Sequence, residues 1–486
     1  MLMLITRILR ILAVLLSLAN ASHAWHGYNS TLVEQMKKEK CNNGISENNC
    51  PCFADATKPY SSDFADRMGL WPNLMSAFDY EQGEVLYGSE IALEMIWKSQ
   101  NPEDCSKAKY IISGGWPYGF GSRLHEEARG LAIAINLGRV YLFHPDGDNI
   151  FWETNTQFCR DQNMYNLHCY YQFLSKCTYQ DALRAYGDVN RLPNHFVGDF
   201  QDSFLSDDAR QSAIDRFAGE QSFNLIFTYG GPKYDTSVLL APRQVHYLID
   251  CSPVVNLARH YWWKAVSSAY VARPSLATVR ELQRLSNLPI GDTRNCVSMF
   301  VRHGDKGIEM KLHDFDEYRD VAEYMWRSDF VPGTTLREYP RFPKNGTMFI
   351  TTEDPQVLSD ADAWGKENNW NIVYTDLFDR AKMTAFKTHD EQHKKGTVAV
   401  HDDLEYLSMM LNMQYAVQCE AWVCTLASNS CRLMDELRVT VGGKLNRHYA
   451  DLSTETCSRP PCLNGTNVYN FFTRRLRNGS RASFHG

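Results

Sequence analysis

Short apolar runs that break off into glycine, charged or polar residues, several with a helical pattern behind them, constrain this chain more than any other feature. They are Tyr110–Ile112, Val140–Phe143, Phe223–Tyr229, Val297–Val301, Met348–Thr352 and Trp422–Thr425. Their shortness and their Val, Ile, Phe and Tyr content mark them as strands. Helical spacing appears between them at Arg123–Leu137, Pro253–Tyr270, Pro274–Leu285 and Leu404–Val417. In the first, Leu124, Leu131 and Ile135 fall near one face, and in the second Ser252 is the expected N-cap ahead of Pro253. Parallel neighbours are reached only through a crossover, so alternating strands and helices imply parallel sheets. Leu288-Pro289-Ile290-Gly291 reads as a hinge, and the pattern on either side predicts two α/β halves facing across a cleft.

In open parallel sheets ligands sit beyond the carboxyl ends of the strands, so the residues that end each run are the candidate site. Residues 296–301 alternate, with Val297, Met299 and Val301 set against Ser298 and Phe300, and the run then breaks into Arg302-His303-Gly304-Asp305-Lys306. Arg302 offers a planar fork that matches two phosphate oxygens, and Lys306 adds a point charge. Asp305 and Glu309 supply carboxylates. Met348–Thr352 ends in Glu353-Asp354-Pro355, and Trp422–Thr425 ends in Leu426-Ala427-Ser428-Asn429-Ser430, which opens another helix. Upstream, Gly114, Gly115, Gly119 and Gly121 form a glycine loop between a strand and a helix, where backbone N–H groups can approach a phosphate.

Composition narrows the class. A chain of 486 residues suggests more than one domain, 44% hydrophobic residues supply material for cores, and a net charge of -7 argues against nucleic acid as the main partner. Arg7 and Arg10 precede an apolar run, Ile11–Ala19, followed by small residues that allow cleavage after Ala21 or Ala24. The rival is a retained membrane anchor. The run falls short of the roughly 20 apolar residues that span a bilayer, which favours a signal peptide and entry to the secretory pathway, Golgi lumen or exterior. There the 14 cysteines are expected to pair as disulfides. No cysteine/histidine cluster has zinc-site spacing, so no metal is expected. Sequons stand at Asn29, Asn345, Asn464 and Asn478. The expected order is a signal peptide to residue 24, a stem and cap over 25–107, α/β domains over 108–291 and 292–445, and a tail over 446–486.

The strand-end motifs resemble those of the α-1,6-fucosyltransferase family, which includes core N-glycan and Nod-factor fucosyltransferases. Val301–Lys306 is similar to the family's Val-Arg-Arg-Thr-Asp-Lys, Thr351–Pro355 to Ala-Thr-Asp-Asp-Pro, and Cys424–Arg432 to Cys-Thr-Phe-Ser-Ser-Gln-Val-Cys-Arg. Gly119–His125 resembles Gly-Tyr-Gly-Cys-Gln-Leu-His, and the likeness spans about residues 110–445. It implies a GT-B-like fold of two Rossmann-like domains, GDP-fucose as donor, a glycan acceptor, inversion at the anomeric carbon and no metal or other cofactor. It also implies a Cys424–Cys431 disulfide. The family's coiled-coil stem and C-terminal SH3-like domain have no counterpart.

Carried over by position, Glu309 is the base, supported by Lys306 and Asp305, and Arg302 with Gly119 and Gly121 holds the diphosphate. His303, Tyr318, Glu353, Asp354, Asn412 and Ser428 line the donor. The chain departs from the pattern at His303, where the family has its second arginine, at Phe300 for a histidine, at Glu353 for an aspartate, and at Asn412 for the aspartate that reads guanine. Two rival functions stand beside this one. Arg302-His303-Gly304 after an apolar strand also resembles the phosphohistidine centre of histidine acid phosphatases, and the same scaffold suits a non-catalytic glycan- or nucleotide-binding protein.

Overall fold

The structure is a computed structural model; it describes residues 35–46, 48–75, 83–114, 119–145, 156–164, 166–184, 191–227, 239–253, 259–303, 312–327, 346–377, 404–445, 447 and 449–452. Asp305, Lys306, Glu309, the sequons at Asn29, Asn345, Asn464 and Asn478, the signal segment, and Cys457 and Cys462 lie outside the described residues.

Two wholly parallel sheets carry the fold, as the alternating pattern requires. An N-terminal hairpin, β1 (Cys41–Asn42) and β2 (Ile45–Ser46), and helix α1 (Ser89–Gln100) come first. The first sheet joins β3 (Tyr110–Ser113), β4 (Val140–Phe143), β5 (Asn194–Phe196) and β6 (Ser222–Ile226) in the order β4-β3-β6-β5. Its crossover helix α2 (Phe120–Asn136) links β3 to β4, and α3 (Arg259–Val271) and α4 (Leu276–Leu285) follow. The second sheet joins β7 (Cys296–Phe300), β8 (Thr347–Thr351), β9 (Asn371–Val373), β10 (Ala421–Cys424) and β11 (Tyr449–Asp451) in the order β11-β10-β7-β8-β9. Its helices are α5 (Phe315–Arg327), α6 (Pro355–Asn368), α7 (Glu405–Gln418) and α8 (Asn429–Arg438).

Packing departs from the sequence pattern in three ways. Helix α2 buries every residue except Ser122, Glu126 and Arg129, so it is a core helix and not an amphipathic surface one. It lies between the halves, against α3 and α8. Ser252 closes the short helix His246–Cys251, where an N-cap for the next helix was expected; α3 begins at Arg259, after residues outside the described set. Both faces of β7 are covered: Val297, Met299 and Val301 join one apolar cluster, while Phe300 joins another. The Ser298 hydroxyl, on the Phe300 face, is satisfied by donating to Ala416 O at 3.0 Å.

The cluster containing Phe300 is continuous through both halves. It runs from Phe53, Tyr60 and Trp71 through Leu124 and Trp262 to Met410, Trp422 and Leu437. The N-terminal part is therefore packed body rather than polar stem, and Trp71 anchors it by donating from Nε1 to Ala272 O at 2.6 Å. Disulfides join Cys41–Cys52, Cys50–Cys251, Cys105–Cys177, Cys159–Cys169, Cys296–Cys419 and Cys424–Cys431. Among the described residues no helix is long and apolar enough to cross a membrane.

Candidate active site at the switch point of the second sheet

Strand order places the site. From β7 the chain steps outward to β8 and β9, then returns to the other side of β7 for β10 and β11. The reversal falls between β7 and β10, and a parallel sheet opens a crevice beyond its strand ends at such a point. Arg302 and His303 follow β7, and Thr425–Ser428 follows β10.

Parallel pairing of β7 with β8 sets Phe300 beside Thr351, so the residues that follow both strands meet. The Arg302 guanidinium forms an ion pair with Glu353 through Nη1 and also donates to His303 O at 3.0 Å. Glu353 accepts from the His303 backbone N–H at 3.0 Å. His303 Nδ1 faces Asp354 Oδ2 at 2.8 Å and its Nε2 faces His313 O at 3.0 Å. A carbonyl can only accept, so Nε2 carries a proton. Asp354 also caps α6, accepting from Gln356 N at 2.9 Å, with Pro355 in the first turn where its missing N–H costs nothing. Arg302 is thus partly engaged by a carboxylate, where the sequence suggested a fork turned wholly to ligand. His303 is held at both nitrogens, which argues against it as the nucleophile of a phosphatase.

On the other side of the switch point, Tyr318 is buried on α5 and donates to Thr425 Oγ1 at 3.4 Å; burial raises its pKa. Ser428 is the N-cap of α8, yet its side chain makes no capping bond. Its hydroxyl is buried and has no hydrogen-bond partner among the described residues. Gly119 is the N-cap residue of α2 and Gly121 lies inside that helix, not in a loop. A Cβ on Gly121 would stand 2.6 Å from the Asn429 carbonyl carbon and oxygen and 2.8 Å from Ser430 N. Only glycine lets the first turn of α2 press on the first turn of α8.

Two helix N-termini therefore converge, one from each half. A helix N-terminus presents first-turn N–H groups and partial positive charge, and two that meet suit an anion better than either alone. The helices are locked just beyond. Glu436 on α8 accepts from Ser268 at 2.6 Å and faces His125 Nε2 of α2 at 3.0 Å. Burial pushes the His125 imidazole down. It works against the Glu436 charge too, but His125, Ser268 and Lys264 outweigh it and keep the carboxyl below its usual range.

Asn412 is buried on α7, and its amide oxygen accepts from Thr375 at 2.8 Å. This pair sits beyond β9, two strands from Arg302. Of the expected site residues, Arg302, His303, Glu353 and Asp354 come together, Ser428, Gly119 and Gly121 meet at the helix ends, and Tyr318 bridges from α5. Arg432 carried no role in the sequence reading; an arginine one turn into a helix after a polar loop was the signal. Among the described residues no His, Cys, Asp and Glu cluster is built to hold a metal.

The fold is that of an α/β protein with two parallel-sheet halves, and its candidate site lies where the N-termini of α2 and α8 meet. No family model matches the chain. Among solved structures it is similar to an Arabidopsis thaliana FUT1 mutant in complex with GDP, at 13% identity and TM-score 0.38, covering 82% of this chain and 83% of that one. POFUT1 in complex with GDP-fucose overlaps at 9% identity and TM-score 0.40, covering 72% and 99%. NodZ α-1,6-fucosyltransferase soaked with GDP-fucose overlaps at 11% identity and TM-score 0.35, covering 68% and 93%. Overlaps this loose carry no functional argument.

Proposed function

We propose that the protein is a glycosyltransferase of the secretory pathway, moving fucose from GDP-fucose to a glycan with inversion. The observation that carries this is the meeting of the α2 and α8 N-termini at the buried Ser428 hydroxyl, which has no partner among the described residues, with Arg302 at the end of the neighbouring strand. A nucleoside diphosphate is an anion that two facing helix N-termini and an arginine can hold. The first domain, 108–291, contributes Gly119 and Gly121; the second, 292–445, contributes Arg302, His303, Tyr318, Glu353, Asp354, Asn412 and Ser428. Arg302 and the helix N–H groups meet the charge that grows on the leaving diphosphate, an interaction stronger in the transition state than in the ground state. Glu309 takes the proton from the acceptor hydroxyl, with Lys306 and Asp305 beside it. No resident metal is part of the proposal. The described disulfides and the four sequons suit an oxidising lumen.

The test has two arms. GDP at about 100 times its Kd should add about 2.7 kcal/mol to unfolding stability, with inorganic phosphate adding little; equal shifts from GDP and UDP would remove guanine recognition. Arg302→Lys keeps the charge but loses the fork, and should lower kcat for transfer at least about 10²-fold with a smaller change in donor KM. Near-normal transfer by a folded Arg302→Lys protein would remove this stretch from the catalytic centre.

A further inference from the structure

The loop between β10 and α8 is tied down on one side by a single residue. Arg432, in the first turn of α8, donates from Nε to Leu426 O at 2.6 Å, from Nη2 to Ala427 O at 3.4 Å and from Nη1 to Asn429 Oδ1 at 3.1 Å. Further ties come from elsewhere. Leu426 N donates to Asp451 Oδ1 at 2.9 Å, Ser428 N donates to Thr425 O at 2.9 Å, and Cys424–Cys431 closes the loop covalently.

What Arg432 prevents matters as much as what it holds. Ser, Asn and Asp at a helix start normally fold their side-chain oxygen onto an unpaired N–H of the first turn. Here neither residue does so. Ser428 makes no capping bond, and the Asn429 amide oxygen is drawn away to the guanidinium. Two loop carbonyls are turned to the same group. Among the described residues, the N–H groups of Asn429, Ser430 and Cys431 have no acceptor. These donors lie where the first turn of α2 meets α8.

We propose that Arg432 is a positioning residue that holds the loop oxygens and the Asn429 amide off the α8 N-terminus, so that its N–H groups stay open for the diphosphate. The chemistry selects arginine. Three oxygens spread over four residues need a planar group with separated donors, and an ammonium presents one point of charge. The inference rests on the glycosyltransferase reading for the identity of the anion, but not for the geometry of the clamp. Without the guanidinium, the Asn429 side chain is free to cap its own helix and compete with the ligand.

The full chain carrying Arg432→Gln, Arg432→Lys, or Arg432→Gln with Asn429→Ala tests this. Each is followed by thermal melting, by titration with GDP and with inorganic pyrophosphate, and by transfer kinetics. Arg432→Gln and Arg432→Lys should both keep a cooperative melt and lose about 10²-fold in kcat, the lower end of what losing an aligned oxyanion donor costs, with a smaller change in donor KM. Adding Asn429→Ala to Arg432→Gln should recover activity several-fold by removing the competing oxygen, a gain that a merely structural role does not produce. Wild-type activity in a folded Arg432→Lys protein, or a double variant no better than Arg432→Gln, overturns the proposal. If the wild-type protein neither binds GDP nor transfers fucose, the parent reading fails. Pyrophosphate protection that is present in the wild type and lost in Arg432→Lys then still upholds the clamp, and its persistence overturns it.

Discussion

Lys264, on α3 beneath the meeting helices, has its pKa lowered to about 7, first by burial and then by the nearby Arg129, against the pull of Glu436 and Glu126. The sign of its effect on stability follows from proton counting. Between about pH 7 and the ordinary lysine value near 10.5 the unfolded chain holds a proton that the native protein has released, so stability rises with pH across that window. Below it the native state carries the whole cost of a desolvated ammonium. Lys264→Met removes both effects. In denaturant unfolding without ligand, the variant should be the more stable protein at pH 6, and its advantage should shrink toward pH 9. The slope from one group is at most about 1.4 kcal/mol per pH unit. Parallel pH profiles for the two proteins would show that Lys264 is solvated. Residues like this, together with His125 and Glu436, show that the contact between the halves carries charge that burial makes costly.

At the scale of elements, the contact of α2 with α8 decides the site. Neither helix end alone makes a ligand site, and each becomes informative because the other faces it. Gly121 sets the approach. Gly121→Ala would place a methyl against the Asn429 carbonyl group and Ser430 N, which are backbone atoms and cannot rotate away. Overpacking of this kind costs about 1–3 kcal/mol. The strain is relieved by separating the helices, so GDP protection should fall along with the denaturant midpoint. A substitution that leaves both unchanged would mean that the helices are not pressed together in solution. Elements also explain the second motif. Thr352 accepts from Asp354 N at 3.1 Å, Asp354 caps α6, and Glu353 reaches Arg302. That motif is thus first a helix start and a counter-charge for the strand end beside it.

For the whole molecule, one apolar cluster threads the N-terminal part, the first sheet and one face of the second. Continuous burial of this kind ties the halves together, and covalent links reinforce it. Cys50–Cys251 joins the N-terminal hairpin region to the first half across a sequence separation of 201. On the chain-entropy account, closing a loop that long destabilises the unfolded chain by about 5 kcal/mol. The paired change Cys50→Ser and Cys251→Ser should lower unfolding stability by that order, read from denaturant melts. A loss below about 1 kcal/mol would indicate that the apolar cluster alone holds the N-terminal part in place.

By itself the sequence determined the strands that carry their own signal. Val140–Phe143 is apolar throughout, and Cys296–Phe300, Thr347–Thr351 and Ala421–Cys424 end in residues that break the run, so period and punctuation located them to within a residue or so. The helix start at Asn429 was legible from the polar loop before it, whereas the start of α6 at Pro355 was not read, although Asp354 ahead of Pro355 is a local capping signal. Tertiary structure alone decided the rest. Asn194–Phe196, Asn371–Val373 and Tyr449–Asp451 are three residues each and hold no pattern; they are strands because neighbours supply their hydrogen bonds. Only strand register could set Glu353 on Arg302 and Asp354 on His303, pairs 51 residues apart in sequence. Gly121 looked like a loop glycine until a second helix, about three hundred residues on, explained why no Cβ fits there. Local signals arise from forces a few residues long, whereas a site assembled from strand ends and two helix N-termini exists only once distant segments are packed together.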